Sequence, residues 1–210
     1  SLGYEYIGLS DHSPGYMTHA KDQIIDLISR RKEKIEQLKS SSKNMKVLNL
    51  LEIDILTNGH LSVPEEGLKL LDGSIAGIHS SHKQDKKLIT KRLLAACETP
   101  YVTVLSHPTG RLLNQRESYD ANWQEVFEAC KKTGTILEIN AWPNRLDLPD
   151  VLVKEAVKMG IKLVINSDSH AISQMDNMRF GVAVARRGWA TKTDVINTYP
   201  WEEFKMFFNL

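Results

Sequence analysis

A chain of 210 residues, 41% hydrophobic and 25% charged, has the apolar content for one full core and the balance of an ordinary soluble globular domain. No apolar run is long enough to span a bilayer and no signal-peptide pattern precedes Tyr4, so the expectation is a cytoplasmic protein with no membrane partner. A formal net charge of +1 gives no electrostatic case for nucleic-acid binding from composition alone.

Taken in chain order, the predicted elements alternate. "YIGLSD" (6–11) reads as a short strand, and 18–42 as a long amphipathic helix with Ile24, Leu27, Ile28, Ile35 and Leu38 near helical spacing. "KVLNLLEIDIL" (46–56) is a strand, the Asn-Gly pair in "TNGH" (57–60) marks a turn, and a short helix follows Pro64. "SIAGIH" (74–79) is a strand, followed by a helix over 85–97 whose core contacts are Leu88, Leu93 and Leu94. Strands "YVTVLSH" (101–107), "TILEIN" (135–140) and "IKLVINSD" (161–168) alternate with helices over 120–133 and 149–159, and two or three short helices finish the chain. Cys97 and Cys130 fall in helices without CxxC spacing and read as free core thiols of a reducing compartment.

This alternation predicts βα units and a mainly parallel sheet. The nearly continuous apolar strands predict a sheet covered on both faces. No repeat, low-complexity tract or linker interrupts the pattern, so residues 1–210 read as one domain. Six strands are too few for a complete eight-stranded barrel and suit a smaller or truncated one.

The polar residues gather where the strands stop. Strand one exits through Asp11 and His12, strand two carries Glu52 and Asp54, and strands three and four end in His79 and His107. Strand five ends in Glu138 and Asn140, and strand six in Asp168 and His170, two positions apart and therefore on one side of extended chain. In a parallel barrel all these ends face one rim, where catalytic residues collect. Four of the seven histidines sit there; His19, His60 and His82 do not fit the pattern. One strand-end histidine is ordinarily a hydrogen-bonded loop residue, but four at successive exits, with carboxylates between, would cost stability unless paired or metal-bound.

Imidazole and carboxylate without thiolate suit zinc, manganese or iron better than calcium or a lone magnesium. Six candidate ligands exceed the three of a typical catalytic zinc site, which implies two or more metals with a carboxylate such as Glu52 bridging. Clustered metals activate water and clamp phosphoryl oxygens, so phosphoester hydrolysis is the natural reaction, although the ligands alone also fit amide or ring hydrolysis. Arg111, four residues after His107, is placed to bind a phosphate or to form a rim salt bridge. Lys83, Lys86, Lys87, Lys91 and Arg92 read as a solvated face, and Trp142 as rim packing or a base-stacking surface.

The segments "GLSDHS", "EIDIL", "GIHSSH", "VLSHPTGRLL", "LEINAWPNRLDLP" and "VINSDSH" resemble, in order, the motifs of the polymerase and histidinol phosphatase (PHP) domain. The tail "QMDNMRFGVAVARRGW" (174–189) looks like the form appended to bacterial and archaeal family X DNA polymerases. The resemblance implies a distorted (β/α)7 TIM-like barrel with a trinuclear zinc or manganese site and 3′–5′ exonuclease or related end-processing activity at DNA 3′ ends, joined to a polymerase core. It places His12, Glu52, His79, His107, Asp168 and His170 on metal positions. Glu52, His107 and Asp168 would be catalytic, Arg111 would hold a phosphate, and Asp11 and Asn140 would orient the ligands.

The family's first strand carries an HxH motif, and this chain shows none. The expectation is therefore a barrel missing its first strand, a fragment with fewer than three metals, best held by Glu52, His79 and His107, and with weak or absent activity. Two other phosphate or hydrolase readings stand beside it: a stand-alone phosphomonoesterase of the histidinol-phosphatase type, and an amidohydrolase-like barrel, against which His170 counts as an extra ligand. A fourth reading is a non-catalytic domain whose metals only stabilise the fold.

Overall fold

The computed structural model describes residues 3–16, 18–42 and 45–210. Six strands, β1 (Tyr6–His12), β2 (Lys46–Asp54), β3 (Gly73–Gly77), β4 (Val102–Leu105), β5 (Ile136–Asn140) and β6 (Leu163–Asn166), form one parallel sheet in sequential order. Helices α1 (Lys21–Ser41), α2 (Glu65–Leu68), α3 (Lys86–Cys97), α4 (Trp123–Thr133), α5 (Asp150–Lys158), α6 (Met178–Arg187) and α7 (Trp201–Phe204) follow the strands. The sheet curls until the rings of His12 and His170, at the exits of its two outermost strands, are 6.5 Å apart. Among the described residues the architecture is a curled, TIM-like α/β half-barrel in which no strand joins β1 to β6. No helix among the described residues is long and apolar enough to cross a membrane.

The two faces of the sheet follow from side-chain alternation along each strand. Leu51, Ile53, Ala76, Leu105, Leu137, Ile139, Leu163 and Ile165 point outward into the main core, where Ile24, Ile28, Ile89, Leu93, Val126, Phe127 and Val153 of the helices cover them. Burying one such side chain stabilises by roughly 1.5–3 kcal/mol. The opposite residues, Leu48, Leu50, Ile75, Val104, Ile136 and Val164, form a second, inner cluster that Ile196, Phe204 and Phe208 plug from below. Two residues further along the same inner face, the side chains change to Glu52, Ser106, Glu138 and Asn166. The barrel interior is thus apolar at its base and polar at its carboxyl rim.

The C-terminal tail occupies the free edge of β6. Leu163 donates to Asp194 O (2.8 Å), Val195 bridges Leu163 in parallel, and Ile165 exchanges hydrogen bonds with the Asn197 side chain (2.7 and 2.9 Å). Tyr6 then hooks β1 to that tail, its hydroxyl lying 2.8 Å from Tyr199 O and 3.1 Å from Asn197 O, with its ring stacked on Phe204.

Several sequence expectations shift. Helix α1 starts at Lys21, where the Gln23 side chain accepts from the Ala20 N–H (2.9 Å), and it buries only Ile24, Ile28 and Ile35, leaving Leu27 and Leu38 exposed. The Asp85 cap on Leu88 N (2.8 Å) sets the phase of α3, so Ile89 and Leu93 go inward while Leu88 faces solvent. That phase also buries Arg92, expected on a solvated face: it is 1% exposed and donates to Ser80 O, Gln84 Oε1 and Ile55 O, tying two rim loops together. Cys97 and Cys130 are buried and free, with sulfurs 3.7 Å apart.

Candidate metal centre

Glu52 lies on the inner face of β2, in register with His12 of β1. Its Oε1 is 2.8 Å from His107 Nε2 and 3.1 Å from His79 Nε2, and it accepts from Ser106 Oγ at 2.7 Å. Its Oε2 is 3.7 Å from His12 Nδ1. Gly77 leaves room for this convergence, since a Cβ there would stand 2.9 Å from the His107 ring and 3.1 Å from Ser106 Cβ.

Burial works against the Glu52 charge, but the hydrogen bonds and charges of His107 and His79 outweigh it and hold the carboxyl far below the usual range. Burial likewise opposes protonation of His79, and Asp54 and Glu52 overcome it, raising that imidazole to about 9. Asp54, two residues after Glu52 and on the same face, accepts from His79 N–H at 3.1 Å and lies 3.6 Å from His79 Nδ1. His79 is thereby clamped between two carboxylates, the arrangement that fixes the tautomer and orientation of a metal-ligating histidine.

Below the cluster lies Glu138, fully buried, which burial and then the Glu52 charge push up to about 7 against the pull of His107 and Asn166. It accepts from the His107 N–H (2.6 Å) and from Asn166 Nδ2 (2.8 Å). His107 and Asp168 both have positive φ, +26° and +51°, at strand exits, an uncommon backbone conformation for non-glycine residues that clusters at functional sites. The turn after His107 is held by the buried Asp147, whose carboxylate accepts from Thr109 N–H at 3.1 Å.

Asp168 and His170 complete the rim on the β6 side. Asp168 Oδ2 accepts from Asn140 Nδ2 (3.2 Å) and lies 3.6 Å from Arg145 Nε. His170 is exposed; its Nδ1 is 3.0 Å from Asp168 O, and Trp142 packs edge-on against its ring at 5.9 Å. Asn140, at the end of β5, thus contacts Asp168 directly. Asp11 does not face the cluster: strand alternation turns it to the helical side, where Arg31 donates to it at 2.6 Å. Arg111 is also engaged elsewhere, its Nε donating to Arg145 O (2.8 Å) and its Nη2 to Leu146 O.

The donor set suits a divalent cation. One nitrogen each from His12 and His79 and an oxygen of Glu52 lie within 4.8 Å of one another, so this trio could hold a metal ion. His107 adds a third imidazole, fully buried, whose Nδ1 has no hydrogen-bond partner among the described residues. Three imidazoles around a single carboxylate form the nitrogen–oxygen environment that such ions prefer.

Fold and rim together define a TIM-like barrel with a candidate metal centre at its carboxyl face. The chain is 36% identical over 205 residues, 98% of its length, to the DNA polymerase/3′–5′ exonuclease PolX of Bacillus subtilis (strain 168), and spans 36% of that protein. It is 26% identical over 206 residues to a probable phosphatase of Thermoanaerobacter sp. (strain X514), covering 93% of this chain and 79% of the phosphatase. A probable phosphatase of Caldanaerobacter subterraneus is 26% identical over 178 residues. No family model matches the chain. The likeness read from the strand-end motifs holds along the whole sequence: this is a PHP-type domain of the kind found in family X polymerases.

Proposed function

We propose that this chain is the divalent-metal-dependent phosphoesterase part of a PolX-like cytoplasmic protein, hydrolysing phosphodiesters at DNA 3′ ends during repair alongside a polymerase core. The observation that carries the reading is the convergence of His12, His79 and His107 on Glu52 at the carboxyl rim of a parallel half-barrel. The names of the relatives, an exonuclease and several phosphatases, support a hydrolase acting on phosphoesters.

In this reading zinc or manganese ions, two to three in the complete domain and fewer in this chain, are held by His12, Glu52, His79, His107, Asp168 and His170. A bound divalent ion lowers the pKa of water and neutralises charge developing at phosphorus. The chain's own residues do the rest. Glu52, kept ionised by its histidines, is the shared anionic ligand. Asp54 fixes the His79 ring, and Glu138 fixes the His107 backbone. Asn140 aims Asp168 into the rim.

A second reading, a phosphomonoesterase of the histidinol-phosphatase type, draws on the match to probable phosphatases over most of their length. Turnover of a 3′-recessed DNA primer against histidinol phosphate separates the two, with metal per chain measured by mass spectrometry for the wild type and His79→Ala. The nuclease reading expects primer shortening and one or more equivalents of zinc or manganese, reduced in the variant. Preference for histidinol phosphate selects the second reading. Bound metal without turnover of either substrate leaves a structural metal site.

A further inference from the structure

The turn after β5 carries a cation without an adequate partner. Arg145 reaches back over the strand ends to place Nε 3.6 Å from Asp168 Oδ2, an oxygen already served by Asn140 at 3.2 Å. Its Nη1 is buried and has no acceptor among the described residues. A guanidinium donor withdrawn from water without an acceptor is costly, and its planar fork matches the paired oxygens of a phosphate.

The backbone beneath Arg145 is held firmly. Arg145 N and Leu146 N both donate to Trp142 O, at 2.8 and 3.0 Å. Arg111 grips the same peptide units from below through its bonds to Arg145 O and Leu146 O. A second guanidinium, Arg116, donates to Gly110 O at 2.8 Å and lies near enough that, after burial, the Arg145 charge is the next cause lowering its pKa. The buried Asp147 accepts from the Thr109 amide and forms no ion pair with Arg145 among the described residues, and burial pushes its carboxyl pKa up. Three guanidiniums thus gather around this turn, and Arg145 is the one that reaches the candidate metal centre, with Asp168 as a loose partner.

We propose that Arg145 binds the phosphate of the substrate at this rim and that Arg111 is its positioning residue. The proposal rests on the phosphoesterase reading for its substrate class, a phosphoester, and reverses the expectation that Arg111 itself meets the phosphate.

Calorimetric titration of inorganic phosphate into the purified, metal-analysed chain tests it, with turnover of a short DNA primer and of p-nitrophenyl phosphate measured in parallel. Arg145→Gln is expected to weaken phosphate binding about ten-fold or more and to raise KM more than it lowers kcat, at unchanged metal content. Arg145→Lys, which keeps the charge but loses the fork, gives a smaller loss of about three-fold. Arg111→Gln weakens phosphate in the same sense without touching metal content. A folded Arg145→Gln that binds phosphate within about two-fold of wild type overturns the proposal, as does a wild type that does not bind phosphate. Should the Gln variant not fold, unchanged affinity in Arg145→Lys does the same. Arg145-dependent phosphate binding without turnover of either substrate upholds the binding site while sinking the phosphoesterase reading.

Discussion

Among the described residues Glu52 is the only carboxylate that all three imidazoles of the cluster approach, so its charge has large leverage on the site. Glu52→Gln keeps the shape and removes the anion; the expected result is loss of bound metal by mass spectrometry and a fall in phosphoester turnover of about a hundred-fold or more. Asp54→Asn is subtler. All direct ligands remain, but the His79 ring loses its anionic anchor, and affinity for zinc or manganese, read by chelator competition, is expected to drop about ten-fold. Unchanged affinity would remove Asp54 from the ligand support. The strand-end residues were legible in the sequence because a strand's exit is a local property and the parallel topology gathers every exit at one rim. Asp54 carried a signal too, since i and i+2 on a strand share a face with Glu52. The same rule, applied to Asp11, separates it from His12. Arg111 was singled out only by its spacing after His107 and Arg145 not at all: both sit in loops whose paths depend on tertiary hydrogen bonds, and only the folded chain shows which guanidinium reaches Asp168.

At the scale of elements, Glu138 ties three strands together under the site, joining the end of β4 through His107 N and β6 through Asn166 from its place on β5. Its folded value, raised to about 7, means that the fold favours the protonated acid. Its contribution is therefore fully present below about pH 4.5 and is lost as pH rises through about 7. The expected cost, up to about 3 kcal/mol, appears as the part of the fall in the urea midpoint of the chelator-treated wild type between pH 5 and about 8 that is missing in Glu138→Gln. The contribution of His79, raised from 6.5 to about 9, declines across that range in both proteins, so the difference between wild type and variant reports Glu138. A second element-scale contact is the Tyr6 hook. Tyr6→Phe leaves the stack on Phe204 and removes the hydroxyl's bonds to the tail carbonyls, which should cost about 1–2 kcal/mol in the denaturation midpoint. All six strands were readable as nearly continuous apolar runs, because the sheet is buried on both faces, and the long helices from their periodic apolar face. The phase of α3 was not, because hydrophobic spacing alone does not anticipate a buried arginine that donates to loop carbonyls and the Gln84 side chain.

For the molecule as a whole, the mechanical question is how a six-stranded sheet keeps its curl when, among the described residues, no ladder joins β1 to β6. At the base the answer is packing: Tyr6, Phe204 and Phe208 fill the inner cluster and the tail spans the seam. At the rim there is no equivalent, only the exposed rings of His12 and His170 facing each other across 6.5 Å. Ligands from β1, β2, the β3 and β4 exits and the β6 exit would be cross-linked by any ion that they share, so metal binding and closure of the rim are one process. An ion that binds the folded chain alone raises stability by RT ln(1 + [L]/Kd), about 2.7 kcal/mol at a hundred-fold excess over Kd. Manganese or zinc should therefore raise the melting temperature of the chelator-treated chain by several degrees. His12→Ala should reduce that increment while leaving the metal-free melting temperature nearly unchanged, because the ring is exposed and contributes little packing of its own. An equal increment in wild type and variant would mean that the ion binds without engaging the β1 side of the seam, and that the rim is held by the base alone.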